Sequence, residues 1–390
     1  FNETSKVPED FSFGEFPENF EHFEPYLNAA VKRFPILETT GIRKFFAGPE
    51  SFTPDTNTLL GEVPEISNFF VCTGLNSIGI GSGGGVGKVT AEWLMTGHIN
   101  EDIFNYDVKR FQKFHSEIKF IKNRVTETLG DLYGMHWPFK QHVTSRNIKT
   151  VPYHEDLKKA GACFGVSGGF ERPMWFAKND SKPEYEYSYN YQNWYPSAEF
   201  ETVNARENVG LFEMTPFSKF ELKGISAHSE LQRICTANIK NDIGKCTYTQ
   251  MLNKDGGIET DLTVVCLDKD YFRIVSSAAT RERDKFHITK HLLNGSNLKD
   301  VTDEYCVLGL FGPKSRDLIK CLSTDDFTNE KFKFGTGKFI NINGIKLWAQ
   351  RLSYVGELGY ELYIKINDAQ KIYYSVVKEG EKYNLSHCGM

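Results

Sequence analysis

The chain has 390 residues, of which 40% are hydrophobic and 25% are charged, so it can form two or three domains with sizeable cores. Its formal net charge of −5 argues against a general nucleic-acid binder, whose surface is basic, but leaves room for a local basic pocket. No apolar run approaches the roughly 18 residues that cross a bilayer, and the opening segment lacks the pattern of a signal peptide. The eight cysteines form no C-x-x-C pair, which favours reduced core thiols.

The first hundred residues alternate between helical, strand-like and glycine-rich segments. A short apolar run over 68–73 predicts a buried strand, and a glycine-dense turn follows it over 79–85. A helix is predicted from about Val86 to Met95, with Gly97 as its C-cap. An earlier helix is predicted from apolar side chains that recur at three- and four-residue spacing, namely Phe23, Tyr26, Leu27, Ala30, Val31 and Phe34.

The predicted secondary structure of the rest of the chain falls into three stretches. Residues 107–170 are predicted to be helical at first and then irregular, and 171–195, rich in Trp, Tyr and Pro, to form a connector over a surface. From about Ser197, short strands alternate with helical segments, which predicts mixed or antiparallel sheets. The chain begins at Phe1 and stops at Met390 without a closing element, so we expect an internal fragment.

The segment from Gly79 to Gly84 satisfies G-x-G-x-x-G between the predicted strand and helix. Glycines let a backbone approach a ligand closely, and a helix N-terminus offers free N–H groups to an electron-rich atom. The acidic strand end that a first Rossmann unit requires does not follow, and the P-loop pattern fails because Val89 follows Lys88. From these residues alone, a ligand loop and a plain turn are equally good interpretations.

A longer set of segments around this turn resembles the dimethylglycine/sarcosine dehydrogenase family. They are FAGPESFTPD (46–55), GLNSIG (74–79), GGVGK (84–88) and AEW (91–93). In that family this stretch is the tail of the FAD-binding domain, and its glycine loop packs beside the isoalloxazine ring. The resemblance implies that the family's dinucleotide fingerprint and substrate-side catalytic residues precede Phe1. It also implies that the neighbours of FAD are Asn76, Gly79, Ile80, Gly81, Gly83 and Gly84.

The resemblance continues into a folate domain related to the aminomethyltransferase of the glycine cleavage system. It implies that Glu361 binds the pterin, that Tyr354 and Tyr248 line the pocket, and that Asp261 lies near folate N10. A carboxylate can accept paired hydrogen bonds from pterin N–H groups, and another can orient or activate the attacking amine. The segments that carry the resemblance are 169–176, 206–212, 248–253, 256–264, 312–317 and 351–363.

These residues also have structural interpretations. Asp261 follows a Gly-Gly turn and can cap a strand, and Glu361 can be a surface residue on a strand. Two positions depart from the related domains: Glu213 stands where Asp is common, and Ile239 stands where an Ala-Asn-Asp pattern has Asp. No metal site is predicted, because the histidines at 115, 136, 142 and 154 show no recurring ligand spacing.

The predicted architecture is multidomain, α+β and α/β. Residues 1–108 are assigned to the C-terminal part of a DAO-type FAD-binding domain, 109–172 to a short central domain, and 173–390 to a truncated T-protein-like folate domain. The resemblance implies FAD-dependent oxidative N-demethylation of sarcosine or dimethylglycine, with transfer of the one-carbon unit to tetrahydrofolate. The fragment by itself is expected to be inactive.

Two other functions stay open. One is a non-catalytic regulator with the architecture of the pyruvate dehydrogenase phosphatase regulatory subunit, against which the retained Asp261 argues. The other is a folate-dependent aminomethyltransferase, which residues 1–100 disfavour because that enzyme does not need them. The expected partners are the methylated substrate, folate and an electron acceptor, with no nucleic acid and no membrane span. The expected location is the cytoplasm of a bacterium or the mitochondrial matrix of a eukaryote.

Overall fold

The computed structural model describes residues 12–99, 102–178 and 181–390. Its first part is open: helix α1 (Phe20–Arg33), which contains the predicted helical pattern, has no buried residue. Strands β1 (Leu59–Glu62) and β2 (Phe70–Thr73) form an antiparallel hairpin, against which helix α2 (Gly79–Thr96) packs. The C-cap predicted at Gly97 is confirmed, since its φ of 78° is left-handed and its N–H reaches the carbonyl of Trp93.

Two local predictions in this part are wrong. The glycine-dense segment forms the first turns of α2, because Asn76 and Ser77, with φ values of 49° and 68°, change the chain direction before Gly79. The helix therefore begins at Gly79 and not near Val86. The strand predicted as buried is β2, whose side chains are half-buried or exposed, because a two-stranded hairpin offers little cover.

The middle of the chain packs against the C-terminal part. Helices α3 (Ile118–Leu132) and α4 (His154–Lys159) precede a hairpin of β3 (Ala162–Ser167) and β4 (Phe170–Phe176). The predicted connector over 171–195 is wrong for its first part, which is β4. Its described remainder, 181–194, lies over the preceding loop, where the Tyr189 hydroxyl donates to the His136 carbonyl at 2.8 Å.

Residues 195–390 contain two sheets with helices packed on them. The five-stranded sheet has the order β10-β6-β9-β8-β7 and is antiparallel. The six-stranded sheet has the order β12-β13-β14-β11-β5-β15, with β15 parallel to β5, so the prediction of mixed and antiparallel sheets is confirmed. The helices are α5 (Tyr195–Glu207), α6 (Ala227–Ile234), α7 (Arg281–His291), α8 (Ser315–Leu322) and α9 (Ile366–Gly380). The strands are β5 (Val209–Glu213), β6 (Ser218–Gly224), β7 (Cys246–Leu252), β8 (Ile258–Asp268), β9 (Tyr271–Ser276), β10 (Ser296–Asp300), β11 (Tyr305–Phe311), β12 (Thr336–Ile342), β13 (Ile345–Arg351), β14 (Gly359–Lys365) and β15 (Leu385–Cys388).

The six-stranded sheet is buried on both faces because helices cover one face and the other sheet covers the opposite face. Leu308 of β11 and Leu362 of β14 pack against α8 and α9 in one apolar cluster. Their strand neighbours Val307 and Tyr363 point the other way, since side chains alternate along a strand. There they meet a second cluster contributed by the five-stranded sheet, with Cys246, Val265 and Leu267. The contact between the two sheets thus sets their relative position.

The glycines of α2 generate a prediction about local stability. A Cβ built on Gly83 has no neighbour within 4 Å, and Gly83 lies in helical backbone, so Gly83→Ala should stabilise α2. The expected gain is about 0.5–1 kcal/mol in the free energy of local opening, because alanine loses less conformational freedom. Amide hydrogen exchange within α2 should slow by about two- to fivefold. Gly61→Ala is the contrasting variant, because its φ is 105° and its Cβ collides with Trp93. Faster exchange in Gly83→Ala would contradict the prediction.

Candidate functional site

Asp261 and Tyr248 form a hydrogen-bonded pair on the exposed part of the five-stranded sheet. Asp261 lies inside β8 opposite Gln250, and Tyr248 lies in β7 opposite Thr263. The Tyr248 hydroxyl donates to Asp261 Oδ2 at 2.9 Å, which raises the pKa of Tyr248. Among the described residues no donor reaches Asp261 Oδ1. Asp261 is therefore not a strand cap, and one of its oxygens is open to a ligand.

Glu361 is a buried carboxylate in the middle of the six-stranded sheet. It is 8% exposed and lies between Gly309 and Gln350 on the neighbouring strands, so it is not a surface residue. The Tyr363 hydroxyl donates to its Oε2 at 2.9 Å, and Gln350 Nε2 donates to the same oxygen at 3.3 Å. Burial raises the pKa of Glu361 to about 7, although both hydrogen bonds act in the opposite direction.

The second carboxylate oxygen of Glu361, Oε1, differs from Oε2 in its hydrogen bonding. No hydrogen bond from the described residues reaches Oε1, and none of their cations lies within ion-pair distance of the carboxylate. A buried carboxylate without a cation is costly unless donors surround it. Tyr363 and Gln350 thus hold Oε2, and Oε1 is left without a donor from the described residues.

Cys246 connects the two carboxylates across the gap between the sheets. It precedes Tyr248 by two residues in β7, so both side chains share one face of the strand. Its thiol is buried among side chains of both sheets, and its pKa is raised by this burial and by the nearby Glu361 carboxylate. Asp261 and Tyr248 thus lie on an exposed part of the same sheet face that packs, at Cys246, near Glu361. These three residues, together with Tyr354, are called the inter-sheet site below.

Tyr354 lies at the rim of the same region. It belongs to the segment between β13 and β14, and the residue is 57% exposed. The ring meets Phe217 edge-on, with centroids 5.8 Å apart and planes at 73°. Phe217 in turn packs on the apolar cluster between the sheets. The structure thus places Glu361 and the Phe217 neighbour of Tyr354 at the contact between the two sheets. Asp261 and Tyr248 lie on an exposed continuation of the strand face that makes this contact.

An aromatic cavity of about 380 Å³ begins beside Tyr354, at its neighbour Val355. Its walls include Trp175 and Trp194, and it also touches Phe212 of the inter-sheet cluster. Gly389 and Met390, the last two residues of the sequence, also line this cavity.

The glycines of α2 form a bare surface, called the glycine face below. Neither the N-terminus of α2 nor its first turns are covered: no side chain caps the helix, and Ile80 is fully exposed. The first N–H groups of a helix lack internal partners and attract an electron-rich atom. A Cβ would meet nothing within 4 Å at Gly81, Gly83, Gly84, Gly85 and Gly87.

The glycine face fits a flavin ring. Each of its glycines weakens the helix by about 0.5–1 kcal/mol relative to alanine. No contact among the described residues requires a glycine at these five positions. A face that stays bare at this cost suits the close approach of a flat ring to the backbone.

Asn76 differs from the other predicted flavin neighbours. Its side chain is buried, and Oδ1 accepts from the Thr53 N–H at 2.8 Å while Nδ2 donates to the Gly74 carbonyl at 2.5 Å. These bonds fold the turn that directs α2. The Asn76 side chain therefore supports the glycine face, and its contact with a flavin stays a prediction.

The β7–β8 hairpin reaches from the inter-sheet site to the other end of α2. At its tip, Lys254 donates to the Thr96 carbonyl and Asp255 contacts His98. A cavity of about 650 Å³ lies at this junction, and its walls include Trp93, Ile258 and His287. One hairpin therefore carries Asp261 and also holds the C-terminal end of the glycine helix.

A carboxylate and imidazole group lies elsewhere, at Glu127, Asp131 and His142, with ligand atoms within 4.8 Å of one another. Glu127 already accepts the backbone N–H groups of Val143 and Thr144 at 2.7 and 2.9 Å. Asp131 pairs with Lys140 at 2.5 Å. These bonds give the group a structural role in holding the loop after α3.

Gln350, Tyr363 and Phe217 belong to the site but were missed by the sequence analysis. Tyr363 did carry a signal, because it follows Glu361 by two residues and so shares its strand face. Gln350 carried none, since the register between β13 and β14 is a tertiary property. Phe217 lies in the turn between β5 and β6, and its meeting with Tyr354 joins segments far apart in the chain.

Three family models match the chain in order. The GCVT N-terminal domain matches residues 153–390, the FAD dependent oxidoreductase central domain matches 96–150, and the FAD dependent oxidoreductase matches 4–93. The first match covers more than half of the chain and contains the whole inter-sheet site. The glycine face falls within the third match. The domain boundaries predicted after residues 108 and 172 stay a prediction.

Curated relatives match nearly the whole chain. The 4-methylaminobutanoate oxidase (formaldehyde-forming) of Paenarthrobacter nicotinovorans is 38% identical over 97% of this chain and 46% of its own length. The mitochondrial sarcosine dehydrogenase of Homo sapiens is 32% identical over 98% of this chain and 46% of its own length. The mitochondrial pyruvate dehydrogenase phosphatase regulatory subunit of Mus musculus is 33% identical over 95% of this chain and 43% of its own length.

The chain spans less than half the length of these relatives. Within that span it carries FAD oxidoreductase segments followed by a GCVT domain. No helix among the described residues is long and apolar enough to span a membrane. The chain belongs to the dimethylglycine/sarcosine dehydrogenase family, in which an FAD-dependent amine oxidoreductase is fused to a T-protein-like folate domain.

Proposed function

We propose that the whole protein oxidises an N-methylated amino acid and transfers the one-carbon unit to tetrahydrofolate. Sarcosine and dimethylglycine are the substrates that the sequence suggested, and the relative named 4-methylaminobutanoate oxidase adds a longer methylamino acid. The observation that carries the folate half of this proposal is Glu361, a buried carboxylate with fixed donors on Oε2 and a free Oε1. FAD, when bound, accepts a hydride equivalent from the N-methyl group.

In the oxidation, the chain contributes the glycine face. The backbone N–H groups at the start of α2 favour negative charge beside the helix, so they would stabilise a ring that gains electrons. The product of the first half is an iminium carbon, or formaldehyde after hydrolysis. The electrons leave to an acceptor that is not identified.

In the transfer, the inter-sheet site binds and orients tetrahydrofolate. Glu361 accepts pterin N–H groups at Oε1, and a second donor on the pterin can compete with the long Gln350 bond at Oε2. One folate nitrogen adds to the iminium carbon, and the proton that it loses passes to the amine nitrogen as the bond between this carbon and the amine breaks. N10 then forms the second bond to the same carbon and loses its proton to Asp261 Oδ1. The products are 5,10-methylenetetrahydrofolate and the demethylated amine, or water when formaldehyde is the donor.

The cavity between the hairpin tip and α2 supports a protected passage between the two halves. It lies between the helix that carries the glycine face and the hairpin that carries Asp261. An iminium ion hydrolyses in water, so a covered route favours capture over release as formaldehyde.

A regulatory function is the second candidate, because one relative bears the name of a phosphatase regulatory subunit. The hydrogen-bonded Asp261–Tyr248 pair and the free oxygen of Glu361 favour the enzymatic function, since a regulator has no need of either. Calorimetry with tetrahydrofolate separates the two: the enzyme binds it and a pure regulator does not.

Glu361 predicts the pH dependence of folate binding. Its pKa near 7 means that the free site is mostly protonated below that pH, while pterin N–H donors need the carboxylate. Tetrahydrofolate affinity should therefore fall about tenfold per pH unit below about 7 and level off above it. Calorimetry from pH 5.5 to 8.5 measures this. Glu361→Gln should bind weakly with a flat profile; a wild-type profile in that variant would remove Glu361 from the site.

The raised pKa of Glu361 also predicts how folding stability depends on pH. Stability should fall as the pH rises, whereas tetrahydrofolate affinity should increase. Folding raises the pKa of Glu361 from 4.5 to about 7, so the native state binds more protons than the unfolded state between these values. Glu361 therefore costs stability progressively as the pH rises from about 4.5 to 7. Glu361→Gln should be more stable than wild type at pH 8 in urea unfolding. Equal stability at pH 5 and pH 8 in both proteins would contradict this.

The proposed role of Asp261 predicts how the one-carbon unit is divided between methylenetetrahydrofolate and free formaldehyde. Asp261→Asn keeps the shape and the Tyr248 contact but removes the base, so methylenetetrahydrofolate per oxidised amine should fall by about 100-fold. Free formaldehyde should rise in proportion, measured by trapping. Asp268→Asn is the matched control, an exposed carboxylate on the same strand. An unchanged partition in Asp261→Asn would remove Asp261 from the transfer, and failure to oxidise any of the three amines would refute the proposed function.

A further inference from the structure

The turn between β5 and β6 is buried along almost its whole length. Every residue from Val209 to Phe220 is buried except Phe217, which is half-buried. Phe217 is also the residue whose ring meets Tyr354 at the rim of the inter-sheet site. Phe217 is therefore the only partly exposed residue in this otherwise buried stretch of chain.

Lys219 stabilises this turn by hydrogen bonds from its ammonium group. Its side chain is fully buried, and its ammonium donates to the carbonyls of Thr215 and Phe217 at 2.8 and 2.7 Å. No carboxylate among the described residues forms an ion pair with it. An ammonium buried outside ion-pair distance of any carboxylate is costly, and the more distant Glu213 offsets that cost only in part. Both hydrogen bonds of this ammonium go to carbonyls of the same turn, so the buried charge stabilises the conformation of that turn.

Glu213 holds the turn from the other side. Its Oε1 accepts the Thr215 N–H at 2.7 Å, and its Oε2 accepts the Tyr153 hydroxyl. The Thr215 hydroxyl accepts the Val307 N–H at 3.0 Å, and Pro216 restricts φ within the turn. The backbone before Phe217 is thus fixed at its N–H, carbonyl and side-chain groups.

We propose that Lys219 is a positioning residue of the inter-sheet site: by holding the carbonyls of Thr215 and Phe217 it fixes the Phe217 ring, which supports Tyr354 as a wall for tetrahydrofolate. The inference rests on the proposed function. Lys219 acts through Phe217 and touches neither substrate nor the reacting atoms.

The protonation of Lys219 does not weaken this arrangement. Burial lowers the pKa of Lys219 to about 7, but a neutral amine still has two N–H donors. Two donors are enough for the two carbonyls. The turn therefore keeps its shape across the pH range in which Glu361 titrates.

The test is a double-mutant cycle on the full-length, flavin-loaded protein with tetrahydrofolate as the probe, under anaerobic conditions. Lys219→Met removes the donors and keeps the stem, and Phe217→Leu removes the ring and keeps an apolar side chain. Each should weaken tetrahydrofolate binding by about three- to tenfold, the usual range for an aromatic contact. The double variant should bind no more weakly than Phe217→Leu, because the two residues act in series.

A matched control is Lys223→Met, the same substitution at an exposed position on the same strand, which should bind as wild type does. Wild-type affinity in Lys219→Met, or multiplying losses in the double variant, would overturn the proposal. If Lys219→Met does not fold, Phe217→Leu decides: wild-type affinity there leaves the turn without a role in binding. Wild-type protein that binds no tetrahydrofolate refutes the proposed function itself, a different outcome.

Discussion

The face-to-face packing of the two sheets is the constraint on which the inter-sheet site depends. Cys246, Val265 and Leu267 of the five-stranded sheet meet Trp348 and Tyr363 of the six-stranded sheet in one apolar cluster. Side chains alternate along each strand, so the residues that make this contact also fix which neighbours face it. A slip of one residue in β14 would turn Glu361 towards the helices and destroy the site.

Around this contact the protein buries charge at a cost to stability. Glu361 and Lys219 are both buried without ion pairs among the described residues. On the opposite face of β5, Glu213 is buried with a tyrosine and a backbone N–H as partners. Each is held by hydrogen bonds that also orient it or its turn. Burial of charged groups is costly unless hydrogen bonds offset the lost hydration.

The first described part of the chain leaves much of its surface exposed. The glycine face is bare at five positions, and α1 has no buried residue. The β7–β8 hairpin ties this part to the rest at Thr96 and His98. The chain corresponds to less than half of each relative's length.

The sequence by itself determined the family and the mixed sheets, because the segments that carry them, such as 256–264 and 351–363, can be read in order along the chain. It also predicted the four folate-side residues, whose contact with folate stays a prediction. It also predicted the end of α2 at Gly97, since a left-handed C-cap is a local property. It misplaced the start of that helix, because helical glycines and turn glycines look alike. Only the tertiary structure decided that Glu361 is buried with one free oxygen, that Asp261 receives the Tyr248 hydroxyl, and that Lys219 supports the turn beside Tyr354. These depend on strand register and sheet packing, which join segments far apart in the chain.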